Sequence, residues 1–188
     1  MFIDSSIAIV DVDDFCDEWN CAEELMRLKM IFPDFKVTLF TIPKKTTVGM
    51  IRAIRDAFDW IEFAVHGILH EPNDEMLRIG SKDLASFLKS IDYSVYVKGF
   101  KPPGWYLTDG VIEACNEAGL WIALHTDQRE NGPLCRHGYY VCGERFGFWH
   151  GHSHDVCGNW VAKKIDEIAD RWPRDQKFMF VSEAARCG

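Results

Sequence analysis

The chain has 188 residues, 47% hydrophobic and 27% charged, a composition that supplies one sizeable apolar core and sets the expectation of a single domain over residues 1–188. A formal net charge of -8 argues against a nucleic-acid backbone or an anionic membrane as partner, because both reward dense Lys and Arg. The opening MFIDSSIAIVDVDD places acids where a secretory signal needs basic residues, and no later run approaches the ~20 apolar residues of a membrane span, so a cytoplasmic protein with reduced thiols among its seven cysteines is expected.

In chain order, an apolar run of strand length at Ile7 to Val12 is followed by a helical pattern at Ala22 to Ile31, stopped before Pro33. A strand at Lys36 to Ile42 leads to a helix at Val48 to Phe58 after the cap candidate Thr47, and a strand at Trp60 to Val65 leads to a helix at Lys82 to Ile91 after Ser81. Next come a strand at Ser94 to Lys98, a helix at Asp109 to Ala118 between the cap candidate Thr108 and Gly119, and a strand at Leu120 to Leu124. The Gly- and Cys-rich run from Arg129 to Gly143 reads as a long loop, with room for a short strand at Tyr139 to Val141. A strand at Phe146 to Trp149, a helix at Trp160 to Trp172 between Asn159 and Pro173, and a strand at Lys177 to Val181 complete the set. Seven strands alternating with helices imply an α/β protein with a largely parallel sheet and right-handed crossovers. A closed or incomplete barrel and an open doubly wound sheet both fit, and in either the chemistry gathers at the C-terminal strand ends.

Six of the seven histidines fall at those ends: His66 and His70 in HGILH, His125, and His150, His152 and His154 in HGHSHD. Asp13 and Asp14 follow the first strand, and Lys101, Pro102, Pro103, Gly104 and Trp105 follow the fourth. Histidines at i and i+4 can share a metal, although two in a chain of this length often fall so by chance; a carboxylate at a neighbouring strand end tips the balance, since two imidazoles and a carboxylate leave a coordination position open for water.

The ordered series DVDDFC, HGILH, KPPGW, LWIALHTDQ and FWHGHSHD resembles the polysaccharide deacetylase (NodB-like) family of metal-dependent carbohydrate esterases over roughly Ile7 to Val181. The resemblance implies an incomplete or distorted (β/α) barrel of about seven parallel strands in a single domain. It makes Asp14, His66 and His70 the ligands of a divalent metal, most often zinc, and Asp13 the general base. A backbone N–H of the Pro102 to Trp105 loop becomes the oxyanion donor, and a histidine of the sixth strand end protonates the leaving amine. His152 is slightly favoured for that acid because Gly151 lets the chain turn there, with His150 as the alternative. Pro103, Gly104 and Trp105 are placed at the substrate, and Asp127 aligns with the acid that orients the catalytic histidine, a cap role being its alternative.

Three departures from the family pattern stand out. Lys101 replaces the Arg that pairs with the catalytic Asp, Gly104 precedes Trp105 instead of following the aromatic residue, and HGHSHD carries surplus histidines. The activity implied is removal of an N-acyl group, N-acetyl above all, from an amino sugar, with a small molecule or oligosaccharide as substrate. Hydrolysis of another linear or cyclic amide, and a non-catalytic metal-containing carbohydrate-binding protein, are the alternatives. A separate structural zinc held by Cys135, His137, Cys142, Cys157 and the late histidines is a rival use of those residues. Oligomeric state has no signature.

Overall fold

The computed structural model describes residues 4–72, 74–125, 128, 135–157 and 161–185. In order they form β1 (Asp4–Phe15), α1 (Ala22–Ile31), β2 (Val37–Thr41), α2 (Val48–Ala57), β3 (Ile61–His66), α3 (Glu75–Arg78), α4 (Ser81–Lys89), β4 (Gly99–Lys101) and α5 (Asp109–Ala118). The remaining elements are β5 (Trp121–Leu124), β6 (Tyr139–Val141), β7 (Phe146–His152), α6 (Ser153–Val156), α7 (Val161–Arg171), β8 (Lys177–Phe178) and α8 (Val181–Ala185). All strand pairs are parallel, in the order β6-β5-β4-β3-β2-β1-β7, with β8 also pairing with β1. The described β6 and β7 are the two ends of that path and do not pair with each other, so the sheet curls into an incomplete barrel.

Side chains alternate across a strand, and the core divides accordingly. Ala8, Val10, Val12, Val37, Leu39, Ile61, Phe63, Val65 and Phe100 join the larger cluster, which packs against the helices. Ile9, Phe40, Ala64, Ala123 and Tyr140 form a smaller cluster with Val181, Ala184 and Ala185, so α8 covers part of the opposite, concave face. By the same parity Asp11, Asp13, His66, Lys101, His150 and His152 stand on the concave face, one step further towards the C-terminal strand ends.

Several expected boundaries hold. α1 and α5 run as the periodicity indicates; Thr108 Oγ1 accepts the Val111 N–H at 3.2 Å, and Gly119 closes α5 with φ 76°. Thr47 caps α2 differently: its amide and hydroxyl both donate to the Asp17 carboxylate, at 2.8 and 2.6 Å, so Asp17 serves the start of a helix thirty residues away.

Others shift. β1 extends to Phe15, which places Asp13 and Asp14 inside the strand. The fourth strand is Gly99–Lys101 and not Ser94 to Lys98: the Asp92 carbonyl takes the Val95 amide at 3.1 Å and its carboxylate takes the Ser94 amide at 3.0 Å, so the alternating run is a turn. Gly99 is required in β4, since a Cβ there would meet the Trp121 ring at 2.0 Å. The last strand stops at Phe178, because the chain turns at Val181 into α8. That turn is fixed from below by the buried Glu62, which accepts the hydroxyls of Thr38 (2.7 Å) and Ser182 (2.6 Å) and the Ser182 amide (3.1 Å). The short helices α3, α6 and α8 have too few turns to show a period. No helix of the described residues is long and apolar enough to cross a membrane.

Candidate active site

Consecutive residues of a strand point to opposite faces, yet Asp13 and Asp14 both reach the same rim. The β1–β2 register shifts between Val12 and Phe15, and Asp14 takes φ 62°. This bulge turns Asp14 back towards the concave side, a recurrent use of bulges beside functional groups.

Asp14 then faces β3 and the loop after it. Its Oδ1 lies 3.4 Å from His66 Nε2 and 3.3 Å from His70 Nε2, is buried, and has no hydrogen-bond partner. His66 Nδ1–H donates to the Lys101 carbonyl at 3.0 Å, which fixes the tautomer and leaves Nε2 with its lone pair towards Asp14. Burial pushes the Asp14 carboxyl up, but the neighbouring His66, then the charges of His70 and His152, hold it at about 2. Ligands about 2.0–2.1 Å from a tetrahedral ion lie about 3.3 Å from one another; Asp14 Oδ1 has that spacing to both imidazoles, and all three donor atoms lie within 4.8 Å, so the donor set fits a divalent metal.

His70 is held by a residue outside the recognised motifs. The Glu75 carboxylate accepts the amides of Ile68 (2.8 Å), Leu69 (3.2 Å) and His70 (3.2 Å), folding HGILH around one anion. Gly67 is obligatory beneath it: at φ 61°, a Cβ would meet Glu75 Oε1 at 2.2 Å and Pro103 Cγ at 2.4 Å. The non-glycine residues with positive φ, Asp14, His70 and Trp105, all belong to this rim; such conformations cost of order 1–3 kcal/mol each and persist where surrounding structure over-determines them.

Beside the metal-type set lies a buried charge cluster. Lys101, wholly buried, places Nζ 2.7 Å from Asp13 Oδ1 in an ion contact and donates to Asp11 Oδ2 at 3.1 Å. The Phe40 and Trp105 rings flank its ammonium, with centroids at 4.6 and 4.3 Å. Burial alone would lower its pKa, but Asp11 and Asp13 carry it above the ordinary lysine value. Asp11 is pushed up by burial and brought below the usual carboxylate range by Lys101 and His150.

The β1–β7 register sets Asp11 opposite His150 and Asp13 opposite His152. His150 Nδ1–H donates to Asp11 Oδ1 at 2.6 Å, which turns Nε2 towards Asp13 Oδ2, 3.8 Å away. Lys101 Nζ, 3.4 Å from the same Nδ1, is an electrostatic neighbour only, because that nitrogen already carries a proton. His152 is more open, with 42% of its side chain exposed, and its Nδ1 faces Asp155 Oδ2 at 3.7 Å.

Asp13, Asp14, His66, His70, Gly104, Trp105 and His152 line one cavity of about 530 Å3, together with Pro102, Trp19, Ile42, Lys45, Glu71 and His154. Lys101 and Asp11 lie beneath its floor. Pro103, expected at the substrate, is buried behind the wall against Gly67. Trp105 donates its amide to the Pro102 carbonyl at 3.1 Å, so the exposed Gly104 amide is the proline loop's candidate donor. Asp127 falls outside the described residues. From sequence, Asp11 is expected to support Asp13 and Asp14 by hydrogen bonding, whereas its partners are His150 and Lys101; Glu75 carries no sequence signal.

The rival cysteine site does not assemble. Cys135 Sγ donates to the Leu120 carbonyl, His137 Nε2 contacts the Asn116 carbonyl, and Cys142 sits 3.9 Å from Asp11. Among the described residues no cysteine belongs to a group with metal-ligand spacing.

No family model and no curated protein matches the chain by sequence. Solved structures do. A putative polysaccharide deacetylase from Mycobacterium smegmatis is 14% identical with a TM-score of 0.65, covering 96% of this chain and 90% of its own. The chitin deacetylase of Colletotrichum lindemuthianum is 15% identical with a TM-score of 0.62, covering 95% and 87%. A 4-alpha-glucanotransferase from Thermococcus litoralis, 14% identical with a TM-score of 0.60, matches 97% of this chain but only 38% of its own length. At these identities the likeness is one of fold: the incomplete barrel of this chain is the fold that these structures share.

Proposed function

We propose that the protein is a metal-dependent hydrolase that removes an N-acyl group, most simply N-acetyl, from an amino sugar. The observation that carries this reading is the position of Asp13: buried, held by Lys101, with one oxygen equidistant from His66 Nε2 and His150 Nε2 at 3.8 Å. A base thus stands beside a His-His-Asp ligand set in one cavity, with His150 next to it across Asp13.

A divalent cation, zinc by the His-His-Asp donor chemistry, held by Asp14, His66 and His70 would supply Lewis acidity for the attacking water and for the acyl carbonyl. The chain's own groups do the proton handling. Asp13, held by the Lys101 ammonium, takes the proton of the water as it attacks. Gly104 N–H is placed to donate to the carbonyl oxygen. His150, fixed in its tautomer by Asp11, presents Nε2 to receive a proton and give it to the departing amine. His150 therefore takes the acid role in preference to His152, whose Nδ1 faces Asp155. A cavity of about 530 Å3 suits a monosaccharide or the end of an oligosaccharide. The likeness to a chitin deacetylase agrees in chemistry, and a cytoplasmic setting is part of the same proposal.

The test compares zinc content, by mass spectrometry, with acetate release from N-acetylglucosamine and chitooligosaccharides. Asp14→Ala and His70→Ala should lose zinc. Asp13→Asn should keep it while kcat falls about 10²–10⁴-fold. Zinc loss in Asp13→Asn with retention in Asp14→Ala would exchange the two roles, and zinc-loaded protein silent on a broad amide panel would leave a binding function in place of catalysis.

A further inference from the structure

We propose that His152, His154 and Asp155 form a second divalent-cation site beside the first. One donor atom from each lies within 4.8 Å of the other two. The chain geometry that makes this possible is the change from β7 to α6. His152 ends the strand with extended angles, φ -122° and ψ 148°, and caps the helix that contains the other two. The His152 and His154 rings stack at 5.2 Å and 28°, and Asp155 Oδ2 and Oδ1 face their nitrogens at 3.7 and 3.8 Å.

Three further observations support a cation there. His154 Nδ1 lies 3.6 Å from Asp14 Oδ2, the oxygen opposite the one between His66 and His70, so the second site adjoins the far side of the first site's carboxylate. Trp19 meets the His154 ring edge-on at 5.3 Å, limiting its rotation. His152, His154 and Asp155 side chains are 42–45% exposed, which leaves room for water to complete the coordination shell and makes the site weaker and more exchangeable than one built on buried ligands. Two imidazoles and a carboxylate select zinc or a similar transition ion over calcium or magnesium.

The site has a consequence for turnover. His152 also belongs to the group it forms with Asp13 and His150, whose donor atoms again lie within 4.8 Å. A cation on His152 and His154 sits in the wall of the cavity that also holds the proposed base, where it narrows the space left for substrate. Zinc beyond the first equivalent should therefore slow the reaction. The second site rests on the proposed function only for this kinetic consequence.

Equilibrium dialysis of the full chain against zinc should give two ions per chain, and one in Asp155→Asn and in His154→Gln. Saturation of the native chain at a single zinc, or two zincs retained in both variants, overturns the site. Where acetate release is measurable, activity should peak near one equivalent and fall as the second binds, and Asp155→Asn should remove the fall while keeping the peak; an unchanged fall in that variant overturns the inhibitory role. Because stoichiometry is read without turnover, a wrong substrate and an absent second site give different results.

Discussion

Replacing Lys101 with Met tests the charge logic beneath the cavity. Met preserves much of the stem against Phe40 and Trp105 but removes the ammonium shared by Asp11 (3.1 Å) and Asp13 (2.7 Å). Asp13 borders the cavity and can be reached by water. Asp11 is fully buried and keeps the His150 hydrogen bond and the long contact from Cys142 Sγ at 3.9 Å. Stranding one partner of a buried ion pair costs about 3–5 kcal/mol. For a chain of this size each kcal/mol lowers Tm by about 2–4 °C, so the metal-free Lys101→Met protein should melt about 6–20 °C below the native chain. The second arm is the double variant Lys101→Met/Asp11→Asn, in which the stranded charge is gone; it should recover more than half of the loss, since neutral replacement of a buried pair is often tolerated. Thermal and urea unfolding followed by circular dichroism, in chelator, reads both. A single variant within about 1 kcal/mol of native, or a double variant no better than the single, would refute the claim that Lys101 neutralises Asp11.

Glu75→Ala should leave the strands intact and weaken zinc binding about 10–100-fold, in line with losses from groups that orient metal ligands; competition with a chelator of known affinity measures it, and unchanged affinity would mean that the HGILH turn holds itself. His150→Asn should lower kcat by about 10²-fold or more and His152→Asn by less than tenfold, the reverse order returning the acid role to His152. Glu62 supplies a pH test: burial raises its carboxyl above the ordinary 4.5 despite the Ser182 and Thr38 hydroxyls, so its contribution is fully present below the unfolded value and is lost as pH rises through the folded one. In urea unfolding the stability of the native chain relative to Glu62→Gln should therefore fall as pH rises above 4.5, and a relative stability that is flat or rises would contradict the burial account.

The parts legible from sequence share a property: their signal is local. α1 and α5 announce themselves through periodic apolar positions with Pro33 or Gly119 beyond them, and six histidines at strand ends expose the rim because each follows an apolar run. What could not be read depends on residues far apart in the chain. Gly99 and Lys101 look like loop residues until Trp121 fills the glycine's missing side chain and two aspartates compensate the lysine. The alternating Val95, Tyr96 and Val97 imitate a strand, yet the Asp92 turn holds the segment. The bulge that brings Asp13 and Asp14 to one side has no sequence mark beyond the acids themselves, and Lys101, read as a looser substitute for arginine, serves two carboxylates at once because its ammonium lies between them.

The position of β1 has a temporal meaning as well. It is the strand nearest the start of the sequence, yet its ladder on one side is made with β7 and β8, and the Asp11–His150 hydrogen bond spans 139 residues. Contacts so distant along the chain form slowly, because loop closure must precede the interactions that reward it. As the chain is synthesised, Asp11 has no imidazole partner until most of the barrel has already been made. The pairing of Asp11 with His150 and the docking of β7 on β1 are therefore one late event, so that a chain able to hold that pair has already brought the two distant strands together.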